Sequence, residues 1–497
     1  MRTRCDAGLM QAMTADRGLA LIEAGREEEA ILLLRDALTH APDDARLRQV
    51  LGLALRAAER CGEAAEAMAR AARLAPTDRR IAQGLAQCRL EAGLEATPAF
   101  AAALRLGPDD LAIAQGAIAA IAAEQGPGPA LEALEPWLAR FPDWLAGHWL
   151  ASRLGAAAGS DAPVDHSIAA ELARRPEARH LWQHRLFTLM HSRHWSEAAA
   201  VVREARARFP ADLAFAWDEA AIATELGEVA RAEALYAALG PLPDLGHAIF
   251  RCRHWLRQGR PELVAALHGH LPSPAGTEAL YPYFSIAWRL LGDPRSAWLE
   301  APALVGIYDL EDELPPLGEL AETLRGLHNQ VRQPLDQSVR QGTQTDGHLL
   351  LRADPRVQAL RSVLAEAVAR HVAALPPRDP AHPLLRHRRD APVRFAGSWS
   401  VRLTAGGHHE NHVHPEGWFS SALYVALPEA MGGDGKAGWL TLGAPQESLG
   451  LDLAPLDMVE PMPGRLVLFP STMWHGTVPF TDGERLTVAF DVKMPPA

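Results

Sequence analysis

Five histidines and one arginine late in the 497-residue chain have the types and spacing for metal chemistry. His408, His409, His412 and His414 fall within seven residues, in GGHHENHVHPEGW. His475 lies 61 residues beyond His414, in FPSTMWHGTVPF, and Arg485 follows ten residues later, in GERLTVAF. Two imidazoles two positions apart on extended chain point the same way. With a third ligand from a later strand they cover one face of a metal ion and leave the other positions open. An arginine fork near such a face fits a carboxylate through two parallel hydrogen bonds. Thr487 lies two residues beyond Arg485, on the same strand face, where its hydroxyl can add a third.

Two ligand sets are open. One is His412, His414 and His475. The other uses His414-x-Glu416 and restores the carboxylate common at open iron sites. Pro415 favours the first, because a turn beginning there carries Glu416 away from the cluster. A three-histidine set also suits zinc. His408 and His409 read as structural or as partners of the ligands. Arg402, in SWSVRL, lies opposite in pleat to Val401 and Leu403. It either reaches a carboxylate in the pocket or sits on the solvent face. Trp399 and Trp418 read as core or pocket wall.

These residues must be positioned by strands. From Phe395 the hydrophobic period falls to two: GSWSVRL, SSALYVAL, GRLVLFP and RLTVAFDV read as short strands. Leu486, Val488, Phe490 and Val492 alternate with Thr487, Ala489 and Asp491. Turn signals separate the strands at Gly406-Gly407, MGGDGKAG, PMPG and TDGE. Short strands with such turns indicate a jelly roll. Upstream, Val357, Leu360, Leu364, Val368 and Val372 keep helical spacing. Residues 333–347, with Gln341, Gly342, Thr343, Gln344 and Thr345, read as loop or extended chain. They are either exposed or folded over the pocket.

The combination HVHPEGWFSSALYV, PGRLVLFPSTMWHGTVPF and ERLTVAFDV resembles the 2-oxoglutarate/Fe(II) oxygenases found fused to tetratricopeptide repeats in bacteria. The similarity extends upstream to QPLDQSVRQGTQT, covering about residues 325–493. It implies a double-stranded β-helix with Fe(II) on His412, His414 and His475, or with Glu416 in place of His412, since the wider superfamily usually carries a carboxylate there. It also implies 2-oxoglutarate held by Arg485 and Thr487, with Arg402 as a further candidate, and oxidative decarboxylation coupled to hydroxylation of a substrate. The alternatives are a repeat scaffold whose jelly roll has lost catalysis, and a zinc-type cupin enzyme.

The first half of the chain repeats. Pro42, Pro76, Pro108, Pro142, Pro176, Pro210 and Pro243 are spaced by 34, 32, 34, 34, 34 and 33 residues. A period near 34 with a closing proline is the tetratricopeptide pattern. Small residues recur ahead of the prolines: Gly25, Ala30 and Ala37; Ala64 and Ala71; Ala198 and Ala205. Paired helices that cross closely need small residues at the crossing. The unit ending at Pro176 lacks them and reads as a distorted repeat. Such arrays bind peptides or protein surfaces, so a protein or peptide substrate or partner is expected; the alternative use is structural, in dimerisation or packing against the β domain.

The fold class is therefore multidomain α+β: an N-terminal α-solenoid followed by a double-stranded β-helix. The expected divisions are 1–298 for the repeats, 299–380 for a connecting region and 381–497 for the β domain. The net charge of −12 argues against nucleic acid as the main partner. Cys5, Cys61, Cys88 and Cys252 show no metal spacing and read as free thiols in a reducing cytoplasm. No apolar run suggests a signal peptide or membrane span.

Overall fold

The period-34 prolines sit in the turns between successive helices, where a missing N–H and a fixed φ end one helix. Two residues after four of them an aspartate starts the next. Asp44, Asp78, Asp110 and Asp212 each accept hydrogen bonds from backbone N–H groups of the first turn, satisfying donors that have no intrahelical partner. The alanines at the crossings, Ala30, Ala64, Ala71, Ala198 and Ala205, are wholly buried.

This is a computed structural model, and it describes residues 2–270, 276–333, 335, 337–428, 431 and 435–495, with side chains from Met10 onward. The MGGDGKAG turn lies partly outside the described residues. The chain forms two compact units, residues 1–140 with 346–362, and residues 141–345 with 363–497.

The first unit is built of antiparallel helix pairs from Arg2–Glu23 to Pro127–Arg140. Its core is mainly alanine and leucine, with Val50 and Met68 beside Leu34, Leu47 and Ala54. The segment 346–362 adds a backbone hydrogen bond from Ala353 N to Ala92 O and an ion pair between Arg361 and Glu59 at 2.9 Å. Glu59 holds a left-handed turn at φ 62°, where the neighbouring units place Gly25 and Gly93. A side chain is kept where glycine is easier, and it is the one that pairs.

The second unit opens on the distorted repeat. Its second helix, His166–Arg174, has only 9 residues. Glu171 replaces the expected alanine, is nearly buried, and is held by Arg175 at 2.6 Å and Arg174 at 3.1 Å. Regular pairs resume at Arg179–His191 with Trp195–Arg208 and continue to Leu245–Arg257, Pro261–His268 and Tyr281–Leu291. Among the described residues no helix is long and apolar enough to cross a membrane.

A β sandwich follows. Its strands are β1 (Gly306–Asp309), β2 (Val339–Gln344), β3 (Phe395–His409), β4 (Gly417–Ala426), β5 (Leu440–Leu442), β6 (Asp457–Val459), β7 (Arg465–Pro470), β8 (His475–Thr477) and β9 (Arg485–Lys493). One sheet has the order β1-β7-β4-β9-β3-β2, the other β6-β5-β8. All pairings are antiparallel, giving the two facing sheets of a double-stranded β-helix. Within the segment read as loop or extended chain, Val339–Gln344 form the edge strand β2, paired with β3, while residues 334 and 336 lie outside the described residues.

Within this unit the repeats grip the sandwich. Glu225 is buried with Arg253 and Arg257. Arg253 also donates to Gln446 at 3.0 Å and Ser448 at 3.1 Å, and Arg257 to the Ser448 carbonyl at 2.9 Å. Trp474 packs edge-on against Tyr283 and donates its indole N–H to the Pro282 carbonyl at 3.0 Å. The residue preceding His475 is thus fixed by a repeat helix.

Candidate metal and anion site

Period-two alternation puts Arg485, Thr487, Ala489 and Asp491 of β9 on one face, and all four line a single pocket. Leu486, Val488, Phe490 and Val492 point the other way and are buried. The opposite wall comes from His475, Gly476 and Thr477 of β8. His412 and His475 are joined by a pair of backbone hydrogen bonds, His412 N to His475 O at 2.9 Å and His475 N to His412 O at 3.0 Å. His414 N donates to the Ser471 carbonyl at 2.9 Å. His412 and His414 lie on the extended connection between β3 and β4 rather than inside a strand, and the bridge to β8 supplies the alignment that strand pairing would give.

The three imidazoles converge, with one ligand nitrogen from each lying within 4.8 Å of the others. Ring centroids are 4.2 Å apart for His412 and His475, 4.8 Å for His412 and His414, and 5.3 Å for His414 and His475. Each Nδ1 is already engaged. His412 Nδ1 donates to the Glu410 carbonyl at 2.8 Å, His475 Nδ1 to the Met473 carbonyl at 3.0 Å, and His414 Nδ1 meets Asp491 Oδ2 at 2.7 Å. Such bonds fix the tautomer and leave Nε2 as the lone-pair nitrogen of each ring. The Ser338 hydroxyl lies 3.2 Å from His412 Nε2 and 3.0 Å from His409 Nδ1. Burial holds His412 well below the usual histidine range and pushes His475 down to about 3. Both are therefore neutral near pH 7, the state that binds a metal ion. The donor set fits a divalent transition metal with open positions.

Arg485 stands deeper in the pocket. It is 2% exposed, donates from Nη1 to Thr477 Oγ1 at 3.2 Å and lies over the Tyr424 ring at 5.1 Å. Among the described residues no carboxylate pairs with it, its Nε lacks a hydrogen-bond partner, and the Tyr424 hydroxyl lies beside it. A buried cation without an anion is costly, and so this end of the pocket suits a carboxylate.

The remaining sequence candidates divide. Glu416 is exposed and outside the cluster. Arg402 points away from the pocket and pairs with Glu484, which also holds Arg325 at 2.7 Å, while Val401 and Leu403 fill the core behind it. His409 lines the pocket, stacked on His412 at 5.7 Å. His408 lies outside it, with Nδ1 on the Gly406 carbonyl. Trp399 stacks on His414 at 5.5 Å and 19°, and Gln344 reaches the lining. Thr343 instead bonds His328 at 2.7 Å. Trp418 is core. Sequence reasoning missed Ser338, Tyr424 and Asp491. The last was findable, because it shares the Arg485 face of β9.

Residues 397–491 match the family model described as "Putative 2OG-Fe(II) oxygenase". Among solved structures, MamA MSR-1 aligns at 20% identity and a TM-score of 0.29, covering 34% of this chain and 99% of that one. MamA from Desulfovibrio magneticus RS-1 aligns at 17% identity and a TM-score of 0.29, covering 33% and 92%. An O-GlcNAc transferase mutant from Thermobaculum terrenum aligns at 22% identity and a TM-score of 0.23, covering 26% and 27%. Comparison with curated proteins returns no match.

Proposed function

We propose that this chain, whose residues 397–491 carry an oxygenase-family match, is an Fe(II)- and 2-oxoglutarate-dependent dioxygenase that hydroxylates a protein or peptide substrate. The observation that carries the reading is the pairing, in one pocket, of three imidazoles presenting Nε2 with a buried arginine that has no carboxylate partner among the described residues. A zinc-type cupin accounts for the first feature but gives no reason for the second.

In this reading Fe(II) is held by His412, His414 and His475, and when bound it supplies the redox step that couples decarboxylation of 2-oxoglutarate to oxidation of a substrate C–H bond. The chain's own residues bind and orient. Arg485 receives the distal carboxylate of 2-oxoglutarate, with the hydroxyls of Thr487 and Tyr424 as additional donors. Leu440, Phe469 and Ala422 line the space between the two ends and exclude water. Trp399 and the backbone bridge between His412 and His475 fix the ligand geometry before the cosubstrate arrives. Gln337, Ser338 and Gln344, which also line the pocket, are the polar groups available to a substrate in this reading. A protein or peptide substrate is supported by the repeat helices, since arrays of this kind generally bind protein segments.

Succinate release tests the reading. Purified full-length protein with Fe(II), 2-oxoglutarate and O2 releases succinate, slowly without substrate and faster with the right peptide. His475→Ala abolishes it. Succinate release that survives His475→Ala, or none from wild type across a broad peptide library, rejects the proposal.

A further inference from the structure

The ligand set lacks the carboxylate common at open iron sites, and a carboxylate stands one hydrogen bond away. Asp491 Oδ2 lies 2.7 Å from His414 Nδ1. Its other oxygen accepts from Ser420 Oγ at 2.6 Å, and that hydroxyl is 3.0 Å from Ser471 Oγ. Ser471 in turn accepts the His414 backbone N–H through its carbonyl. The loop closes tightly: a Cβ on Gly417 would come within 2.6 Å of Ser471 Oγ and 3.2 Å of Asp491 Cβ. On its ring face, His414 is held by Trp399. Its orientation is therefore fixed by backbone, stacking and carboxylate together.

The other two candidate ligands are held differently. His412 and His475 give their Nδ1–H groups to main-chain carbonyls, which orient a ring but carry no net charge. Among the described residues, His414 alone of the three is paired with a carboxylate. A carboxylate accepting from the far nitrogen of an imidazole raises the basicity of the near one and strengthens it as a ligand.

We infer that Asp491 is a positioning residue that lends the three-histidine centre, through His414, the negative charge its ligand set lacks. The inference rests on the proposed metal site. It makes the His414 arm of the site electronically distinct from the other two, and it accounts for an aspartate in a strand whose opposite face is wholly apolar.

The test is Co(II) titration of the metal-free full-length protein, followed by the visible d–d bands, for wild type, Asp491→Asn and Ser420→Ala. Asparagine keeps the shape and an acceptor oxygen but removes the charge. The expected result is a roughly 10- to 100-fold loss of Co(II) affinity and a shifted d–d spectrum, with the melting temperature of the metal-free protein unchanged. Wild-type binding matched by Asp491→Asn in both affinity and spectrum overturns the inference while leaving the metal site standing. Failure of wild type itself to bind Co(II) overturns both. Should Asp491→Asn not fold, Ser420→Ala carries the test, because it frees the carboxylate from its second anchor: weaker Co(II) binding supports the inference and unchanged binding overturns it.

Discussion

Glu300 is a buried carboxyl that makes the stability of the fold depend on pH. It ends the short helix Arg295–Leu299 and is 8% exposed. One carboxyl oxygen accepts from Ser285 Oγ at 2.5 Å; the other has no hydrogen-bond partner among the described residues. Burial raises its pKa from 4.5 to about 7, against opposing contributions from Ser285 and Arg289. The folded protein therefore keeps a proton that the unfolded chain releases above about pH 4.5. Stability from this group is fully present at low pH and is lost as pH rises from about 4.5 to about 7. A shift of about 2.5 units corresponds to about 3 kcal/mol. Glu300→Gln keeps the acceptor for Ser285 and cannot ionise. It should be neutral in effect at pH 4.5 and stabilising by up to about 3 kcal/mol at pH 8. Urea denaturation of both proteins at pH 4.5 and pH 8 measures this, reading the midpoint difference at equal slope. Parallel pH profiles for the two proteins would show that the buried carboxyl ionises at no cost, and would refute the reasoning.

Two further outcomes follow from the site. Arg485→Lys keeps the charge but loses the forked pair of hydrogen bonds, each worth about 1.5–3 kcal/mol when charged. Calorimetric titration of the metal-loaded protein without O2 should show 2-oxoglutarate binding weakened about 10- to 100-fold. An unchanged affinity would place the carboxylate elsewhere. Glu416→Gln should leave Co(II) affinity and spectrum at their wild-type values, since Glu416 is exposed and away from the histidine cluster; a lost or altered spectrum would restore it as a ligand.

Much of this architecture is written in local patterns, and those were readable. The proline period near 34, the alanines ahead of Pro42, Pro76 and Pro210 and the two-residue alternation of β9 can all be read along the chain, and each corresponds to a feature of the structure. What could not be read depends on which distant segments meet. Nothing in SWSVRL says that Arg402 will find Glu484, or that Glu484 will thereby be unavailable to Arg485. Nothing near Trp474 announces that Pro282, 192 residues earlier, accepts its indole N–H. The Tyr424 hydroxyl beside Arg485 and the Ser338 hydroxyl beside His412 are likewise products of sheet pairing. Asp491 is the intermediate case: its strand face was legible, but its partner on another segment was not.

In the proposed function His412, His414, His475 and Arg485 together hold Fe(II) and 2-oxoglutarate. This is tested most directly by anaerobic titration of the full-length protein with Fe(II) and then 2-oxoglutarate, watching the visible region. The expected result is a metal-to-ligand charge-transfer band that requires both additions and disappears in His475→Ala. A folded wild-type protein that shows no such band would contradict it.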